Sequence, residues 1–355
     1  MKNRSSDHCG AGRSRYRIVA MVLVTGLFLT TGARDAAPGE RNSARISVLI
    51  ATGMPGDTRY HVGLGMASLW TTRLRKAGIR VSAAVSEGPK ESIEALRIAD
   101  ADLILVDNLF CSMAFKGVGM YRGRRVRGLR GIAALWDDAL HVLIRSDRLK
   151  TGGIKDLEGL TLATGLPGSG NRIVTEILLK TLGASGPRVR LRSMSNRAAV
   201  EAMKRETVEA LALSGGIPIP RVSSLLKEKG LSLDFLEMTD AQMTAIRQTG
   251  LHGLSATTIP RGTYPGQNRT LRTVGRRILL AVTSSLDNQV VHALTKTLFE
   301  NLDYLARLHP ASRDLDPETA LKGMNIPLHE GAFIYYQQRG IKVPKNLSPE
   351  KRRAL

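Results

Sequence analysis

Two successive runs of alternating strand-like and helix-like segments constrain this chain more than any other feature. In the first run, "RISVLIATG" (residues 45–53) reads as a strand entering a glycine-rich turn, and "HVGLGMASLWTTRLRKAG" follows with helical spacing that puts Leu64, Leu69 and Leu74 toward one side. "IRVSAAVS", "KESIEALRIAD" and "ADLILVDN" continue as strand, amphipathic helix and buried strand. The second run starts with a strand at residues 140–147 and passes through the helix "RIVTEILLKTLGA", with Ile173, Ile177 and Leu178 toward a core. "RVRLRSM", "NRAAVEAMKRE", "VEALALSGG", "PRVSSLLKEKG" and "LSLDFLEM" complete it as strand, helix, strand, helix and strand. This order predicts an α/β protein whose strands run parallel with helices on both faces. A late strand, "RTVGRRILLAVTSS", and one long amphipathic helix, "DNQVVHALTKTLFENLDYLARLHP", follow. Two such units with a late return predict two lobes and a cleft, since open parallel sheets bind ligands beyond the carboxyl ends of their strands. The expected lobes are residues 44–140 with 260–340, and residues 146–255. The expected hinge segments are near residues 138–146 and 252–262.

The N-terminus sets the compartment. Residues 1–17 carry five Lys or Arg and one Asp, and "IVAMVLVTGLFLTTGA" (residues 18–33) is apolar and ends in small residues. That is the pattern of a secretory signal, with an uncleaved anchor as the alternative. The apolar run is shorter than the roughly 20 residues of a spanning helix. Residues 34–42 read as a linker. Cleavage would leave Cys111 as the lone cysteine, with no internal disulfide, and its apolar surroundings read as those of a small buried hydrophobe. The 355 residues carry a formal charge of +21, which raises a nucleic-acid function. The basic residues are spread along the chain, however, and an aromatic share of 4% is poor for stacking on bases. No nucleic-acid partner is expected.

Catalytic chemistry is hard to find. The seven His are scattered without metal-ligand spacing, and there is no nucleophile elbow. Asp137 and Asp138 are adjacent in a strand and therefore point to opposite faces, so they read as solvated or hinge-lining acids. No enzyme, metal or cofactor is expected.

Four polar loops remain. In "TGMPGDTRYHVG" (residues 52–63), Thr52 and Gly53 end a strand, and Thr58, Arg59 and Tyr60 open a helix whose free N–H groups attract anions. "GLPGSGNR" (residues 165–172) occupies the same position in the second run. Its Gly165 and Gly170 have the spacing of a phosphate-binding loop, but Asn171 and Arg172 stand where that loop needs Lys and Ser or Thr. It therefore reads as a backbone cradle for a carboxylate, with Pro167, Gly168 and Gly170 shaping it. Ser169 and Asn171 are then side-chain partners and Arg172 a counter-charge. "LSGGIPIPRV" (residues 213–222) brings Gly216 and Pro218, and "TIPRGTYPGQ" (residues 258–267) brings Tyr264 as the aromatic expected to face the cleft. Each loop has a plainer reading: a connector, a helix cap or a packed hinge.

Taken together, these loops resemble those of the TAXI solute-binding proteins of tripartite ATP-independent periplasmic (TRAP) transporters. "LPGSGNR" resembles the family's P-G-S-G-T-R loop, "GGIPIPRV" its G-x-P-x-P segment, and "TIPRGTYPGQ" its T-I-P-x-G-T-Y-P-G-Q stretch. "IPLHEGAFIYYQQRG" resembles its I-P-L-H-x-G-x-x-x-Y-Y ending, and the likeness runs from about residue 45 to residue 340. It implies a type II-like periplasmic binding fold of two α/β lobes with a ligand cleft and hinge. It further implies a monomeric receptor that captures a small organic solute, such as glutamate, another amino acid or a dicarboxylate, and delivers it to integral membrane TRAP permease subunits. A binding protein that reports to a signalling receptor is the alternative. Beyond residue 340 the chain ends in a basic tail (residues 341–355).

The departures from the family pattern fall on one side of the expected site. Met54 and Asp57 stand for glycines, Arg59 for a tyrosine, His61 for a proline and Ser92 for an asparagine. Asp107 and Asn108 stand where the family has Gln-Ser. A buried carboxylate needs a partner. The expectation is that Asp107 or Asp57 pairs with Arg59 or with a ligand ammonium, favouring a zwitterionic or less anionic ligand.

Overall fold

The computed structural model describes residues 46–184, 188–249 and 253–349. The signal or anchor expected over residues 1–33, the linker after it and the last residues of the basic tail lie outside them. In the first half, β1 (Ile46–Ala51), α1 (Thr58–Arg73), β2 (Ile79–Ala84), α2 (Pro89–Arg97) and β3 (Leu103–Asp107) alternate as the sequence predicts. A helix that the sequence reading lacked, α3 (Asn108–Lys116), follows, and then β4 (Leu129–Arg145). In the second half come β5 (Thr161–Thr164), α4 (Gly170–Thr181), β6 (Arg190–Ser193), α5 (Asn196–Lys204), β7 (Ala210–Gly216), α6 (Pro220–Leu225), β8 (Leu233–Phe235), α7 (Asp240–Gln248) and β9 (Ser255–Ile259). The chain then returns through β10 (Leu271–Thr283), α8 (Asn288–Phe299), α9 (Leu302–Leu308) and α10 (Glu330–Gln338).

All ten strands join one sheet, in the order β2-β1-β3-β10-β4-β7-β5-β6, with β8 on β4 and β9 on β10. Pairing is parallel within each half, β1 with β2 and β3, and β5 with β6 and β7. The halves are joined by two long antiparallel strands. β4 pairs with β10 over its first part and with β7 over its second, while β10 pairs with β3, β4 and β9. The strands change partners at one place, where Asp138 lies opposite both Arg276 and Gly216. This is the α/β, type II-like periplasmic-binding architecture that the sequence reading expected.

The crossing differs from the expectation in one respect. The segment at residues 138–146 is the far half of β4, a strand that begins nine residues earlier at Leu129. The second crossing is β10, whereas residues 253–262 carry β9, a flanking strand. Nearly every residue of β4 is buried, which is what a strand covered on both faces requires.

Two of the helix faces are also rotated from those expected. In α1 the buried side carries Val62, Met66, Leu69 and Trp70, while Leu64 is exposed. Trp70 is fully buried, and its indole N–H donates to the Leu294 carbonyl (2.9 Å). In α4 the buried residues are Val174, Leu178 and Leu179, with Ile173 and Ile177 at the margin of the core. The single long helix expected after β10 is broken at Asn301 into α8 and α9. Among the described residues no helix is long and apolar enough to cross a membrane.

Candidate functional site

A cavity of about 530 Å³ opens between the two halves of the sheet, above the crossing of β4 and β10. Its walls are the loops that leave the carboxyl ends of the parallel strands, where an open α/β sheet places its ligands. The first half contributes Met54 to Asp57 and Arg59 from the β1–α1 turn, and Glu87 and Gly88 from the β2–α2 turn. The second half contributes Gly165, Leu166 and Ser169 to Asn171 before α4, and Met194 to Arg197 at the start of α5. Ser214 of β7 and Arg221 of α6 complete that wall, and the crossing strands supply the floor with Asp138 and Arg276.

Four helices (α1, α2, α4 and α5) therefore begin at the cavity wall. Their free N–H groups and partial positive ends favour an anionic group there. Two of these ends are capped by serine. Ser169 Oγ accepts from the Arg172 amide (3.3 Å) and Ser195 Oγ from the Ala198 amide (3.2 Å). At α1 the capping position is Asp57, but its side chain makes no cap bond and accepts from Asn196 Nδ2 across the cavity instead (3.3 Å). Arg221 makes a second link between the halves. Its guanidinium donates to the carbonyls of Gly56 (2.8 Å) and Pro55 (3.2 Å). Gly56 has φ of 90°, and a Cβ there would collide with that guanidinium, so glycine is needed on both counts. Thr58 makes a third link, as its Oγ1 accepts from the Gly216 amide (3.2 Å).

The floor holds the charges. Arg276 is almost fully buried, and its Nη1 donates to Asp107 Oδ2 (2.7 Å). The other oxygen of Asp107 accepts from the Phe110 amide and caps α3. Asp138 is 5% exposed, and its Oδ1 accepts from the Trp136 indole N–H (2.9 Å). Among the described residues its Oδ2 has no hydrogen-bond partner. Burial pushes the Asp138 carboxyl up, opposed by Arg59, Arg276 and the Trp136 bond. Arg59 lines the cavity and makes no ion pair among the described residues.

Of the residues expected from the sequence to hold a ligand, Arg59, Ser169, Gly170 and Asn171 line this cavity. Asn171 is anchored there through Nδ2 to the Ala212 carbonyl (2.7 Å). Asp107 lies one layer behind, and the expected pairing of Asp107 or Asp57 with Arg59 is not found. Asp107 pairs with Arg276 because β3 and β10 are neighbours, and Asp57 is held by Asn196. Thr58 and Gly216 bond to each other beside the cavity.

The others stand away from the lining. Thr52 is buried with its hydroxyl on the Ala84 carbonyl, and Gly53 packs beneath the Cβ atoms of Asp57 and Arg59. Tyr60 packs its ring against His61, and Asn108 donates to the Gly323 carbonyl (3.0 Å). Pro167 and Gly168 form the turn before α4, where Gly168 has φ of 81°. Arg172 is drawn along α4 to Glu176 (2.6 Å) and to Ser193 (3.0 Å). Pro218 follows a cis peptide bond outside the lining. Tyr264, expected to face the cleft, is buried in the crossing. Its hydroxyl donates to His141 Nε2 (2.8 Å) and accepts from the Ile219 amide (2.7 Å).

The lining residues that the loops alone did not point to are chiefly Asp138, Arg276, Arg221 and Asn196. A signal for two of them exists. "WDDA" and "GRRI" are charge doublets set in otherwise apolar strands. In register they face each other, with Asp138 opposite Arg276 on one side of the sheet and Asp137 bonded to Arg277 (3.1 Å) on the other. Elsewhere, burial pushes the Cys111 thiol well above its ordinary range, as for an inert core cysteine. Among the described residues no group of His, Cys, Asp and Glu could hold a metal ion.

The fold is one seen before. XAC2383 from Xanthomonas citri bound to ATP superposes with a TM-score of 0.51 at 14% identity, covering 83% of this chain and 98% of that one. The same protein bound to chloride ion gives 0.51 at 12% identity, covering 83% and 99%. A weaker likeness, with a TM-score of 0.43 at 14% identity over 76% and 100% of the two chains, is to the GluR0 ligand-binding core from Nostoc punctiforme in complex with L-glutamate. At these identities the shared feature is the two-part α/β architecture. The chain belongs to the NMT1-like family, whose model matches residues 50–340.

Proposed function

We propose that this protein is the extracytoplasmic solute-binding component of a TRAP-type transporter of the TAXI class. It captures a small organic solute bearing a carboxylate, an amino acid such as glutamate or a dicarboxylate, and delivers it to membrane permease subunits. The observation that carries this reading is the cavity itself, where four helix N-termini and four arginines surround a space of small-metabolite size at the junction of two half-sheets. The loop motifs and the export pattern of residues 1–33 support it, as does the absence of any catalytic constellation in the sequence. In this reading residues 44–140 and 260–340 form one lobe and residues 146–255 the other. They hinge where β4 and β10 change partners, and Arg221, Asn196 and Thr58 fasten the closed cleft.

A thermal-shift panel of amino acids and dicarboxylates tests the binding step. A ligand at a hundred times its Kd is expected to add about 2.7 kcal/mol to stability. No shift with any small solute, and no molecule carried through gentle purification by native mass spectrometry, would overturn the proposal. Binding without uptake by cells that co-express a TRAP permease would point to a sensor.

Gly170→Ala checks the location of the site. A Cβ there would lie 2.5 Å from Arg276 Nη1, so the guanidinium must move off the cavity floor. The expected loss of affinity is about tenfold, from an overpacking strain of about 1–3 kcal/mol. Unchanged affinity by titration calorimetry would place the ligand elsewhere.

A further inference from the structure

The charges around the cavity balance once Asp107, one layer behind the lining, is counted. Arg59 and Arg276 are matched by Asp138 and by Asp107 behind it, and at the rim Arg197 and Arg221 are matched by Asp57 and Glu87. Most of these groups are already engaged. Arg276 spends Nη1 on Asp107, Arg221 is tied to two carbonyls, and Asp57 is tied to Asn196. What remains at the floor is the second carboxylate oxygen of the buried Asp138, together with Arg59 and the other N–H groups of Arg276, while Glu87 and Arg197 stand at the rim without an ion pair among the described residues. Asp138 and Arg276 are directly opposed residues of antiparallel strands, so their side chains rise side by side from one face of the sheet. They form no ion pair with each other, because Arg276 is turned to Asp107.

We propose that the cavity takes a zwitterionic α-amino acid of no net charge, whose ammonium group docks on Asp138 and whose carboxylate is held by Arg59, Arg276 and the surrounding helix N-termini. The proposal rests on the reading of this cavity as the solute site, and it narrows the solute class. A neutral zwitterion leaves the charge balance intact and gives Asp138 Oδ2 the donor it lacks. A dicarboxylate of similar length would set its second carboxylate against Asp138, while Arg59 and Arg276 are engaged by the first. The cost of an uncompensated buried charge decides against it. Asp138 is thus a specificity-determining residue, placed by the register of two strands rather than by any loop motif.

The test is a matched comparison by calorimetry at pH 7.5 on the full mature chain. The standard amino acids are screened first. The best neutral binder is then compared with its 2-hydroxy acid counterpart, for example L-alanine with L-lactate, and with succinate and L-malate. The expected result is that the hydroxy acid binds about ten- to hundredfold more weakly, the loss of one charge-assisted hydrogen bond. Asp138→Asn should reduce that preference to less than threefold while keeping the Trp136 bond. Circular dichroism and the unfolding midpoint of D138N show whether it folds, and the wild-type comparison stands without it. Wild-type binding of the hydroxy acid or succinate as tight as that of the amino acid would overturn this proposal alone. So would a folded D138N variant that keeps the full preference for the amino group. Absence of binding by every compound would overturn the solute-receptor reading and this proposal with it.

Discussion

Asp107→Ala is expected to lower the unfolding free energy by about 3–5 kcal/mol, because it strands a buried guanidinium. Asp107 and Arg276 are 1% and 5% exposed and bonded at 2.7 Å. With the carboxylate gone, Arg276 has no other ion pair among the described residues. The variant also loses the cap of α3, made by Asp107 Oδ1 to the Phe110 amide, and a lost cap costs about 1 kcal/mol in its own right. Urea denaturation followed by fluorescence measures the sum. A loss below about 1 kcal/mol would mean that the pair is solvated in solution. The double variant Asp107→Leu/Arg276→Met is expected to recover most of the stability, since well-packed apolar residues commonly replace a buried pair at little cost. It should not recover ligand binding, because Arg276 is part of the cavity floor. That contrast separates the structural duty of the pair from its recognition duty.

His141 predicts a loss of stability in mild acid. Its ring is fully buried in the crossing. Nδ1–H donates to the Ala139 carbonyl (3.0 Å) and Nε2 accepts from the Tyr264 hydroxyl (2.8 Å). Both nitrogens are satisfied in the neutral form, and a second proton would meet the hydroxyl that now donates. Burial holds the imidazole down at about 4, against bonds to Ala139 and Leu213 that raise it. The unfolded chain, with an ordinary value near 6.5, takes up its proton first as pH falls. The stabilisation is therefore complete above pH 6.5 and is lost progressively down to about pH 4. That shift corresponds to about 3 kcal/mol. Unfolding free energies measured from pH 7.5 to 4 should show this slope, and His141→Gln should flatten it. An identical slope in the variant would assign the acid lability to other groups. Because His141 sits on β4 where it pairs with β7, the same protonation would also loosen the contact that carries Tyr264 and the β7–α6 turn.

Tyr264 shows where sequence reasoning about the site was thin. An aromatic in a Pro- and Gly-rich loop is equally suited to face a ligand or to lock a hinge. What decides is His141, 123 residues away, which offers a buried acceptor for its hydroxyl. Arg172 is a similar case. It follows the loop that builds the cavity, yet one turn along α4 Glu176 captures it, at a spacing that favours ion pairs on a helix. Ser169, Gly170 and Asn171 were legible because capping residues before a helix have one direction to face when the preceding strand is parallel.

What the sequence determined by itself is the broad order of the elements and the pole of the sheet at which the cavity opens. Hydrophobic period and turn residues are local, so strand, loop and helix follow each other visibly, and parallel strands put their glycine-rich loops at the carboxyl end. Only the tertiary structure decided the charge of the site. Asp138, Arg276 and Asp107 lie on three strands, and their relations depend on which strands adjoin and on a register in which a one-residue slip would turn each side chain to the opposite face. Register between distant strands is a property of the folded sheet, and no local pattern in "WDDA" or "GRRI" contains it.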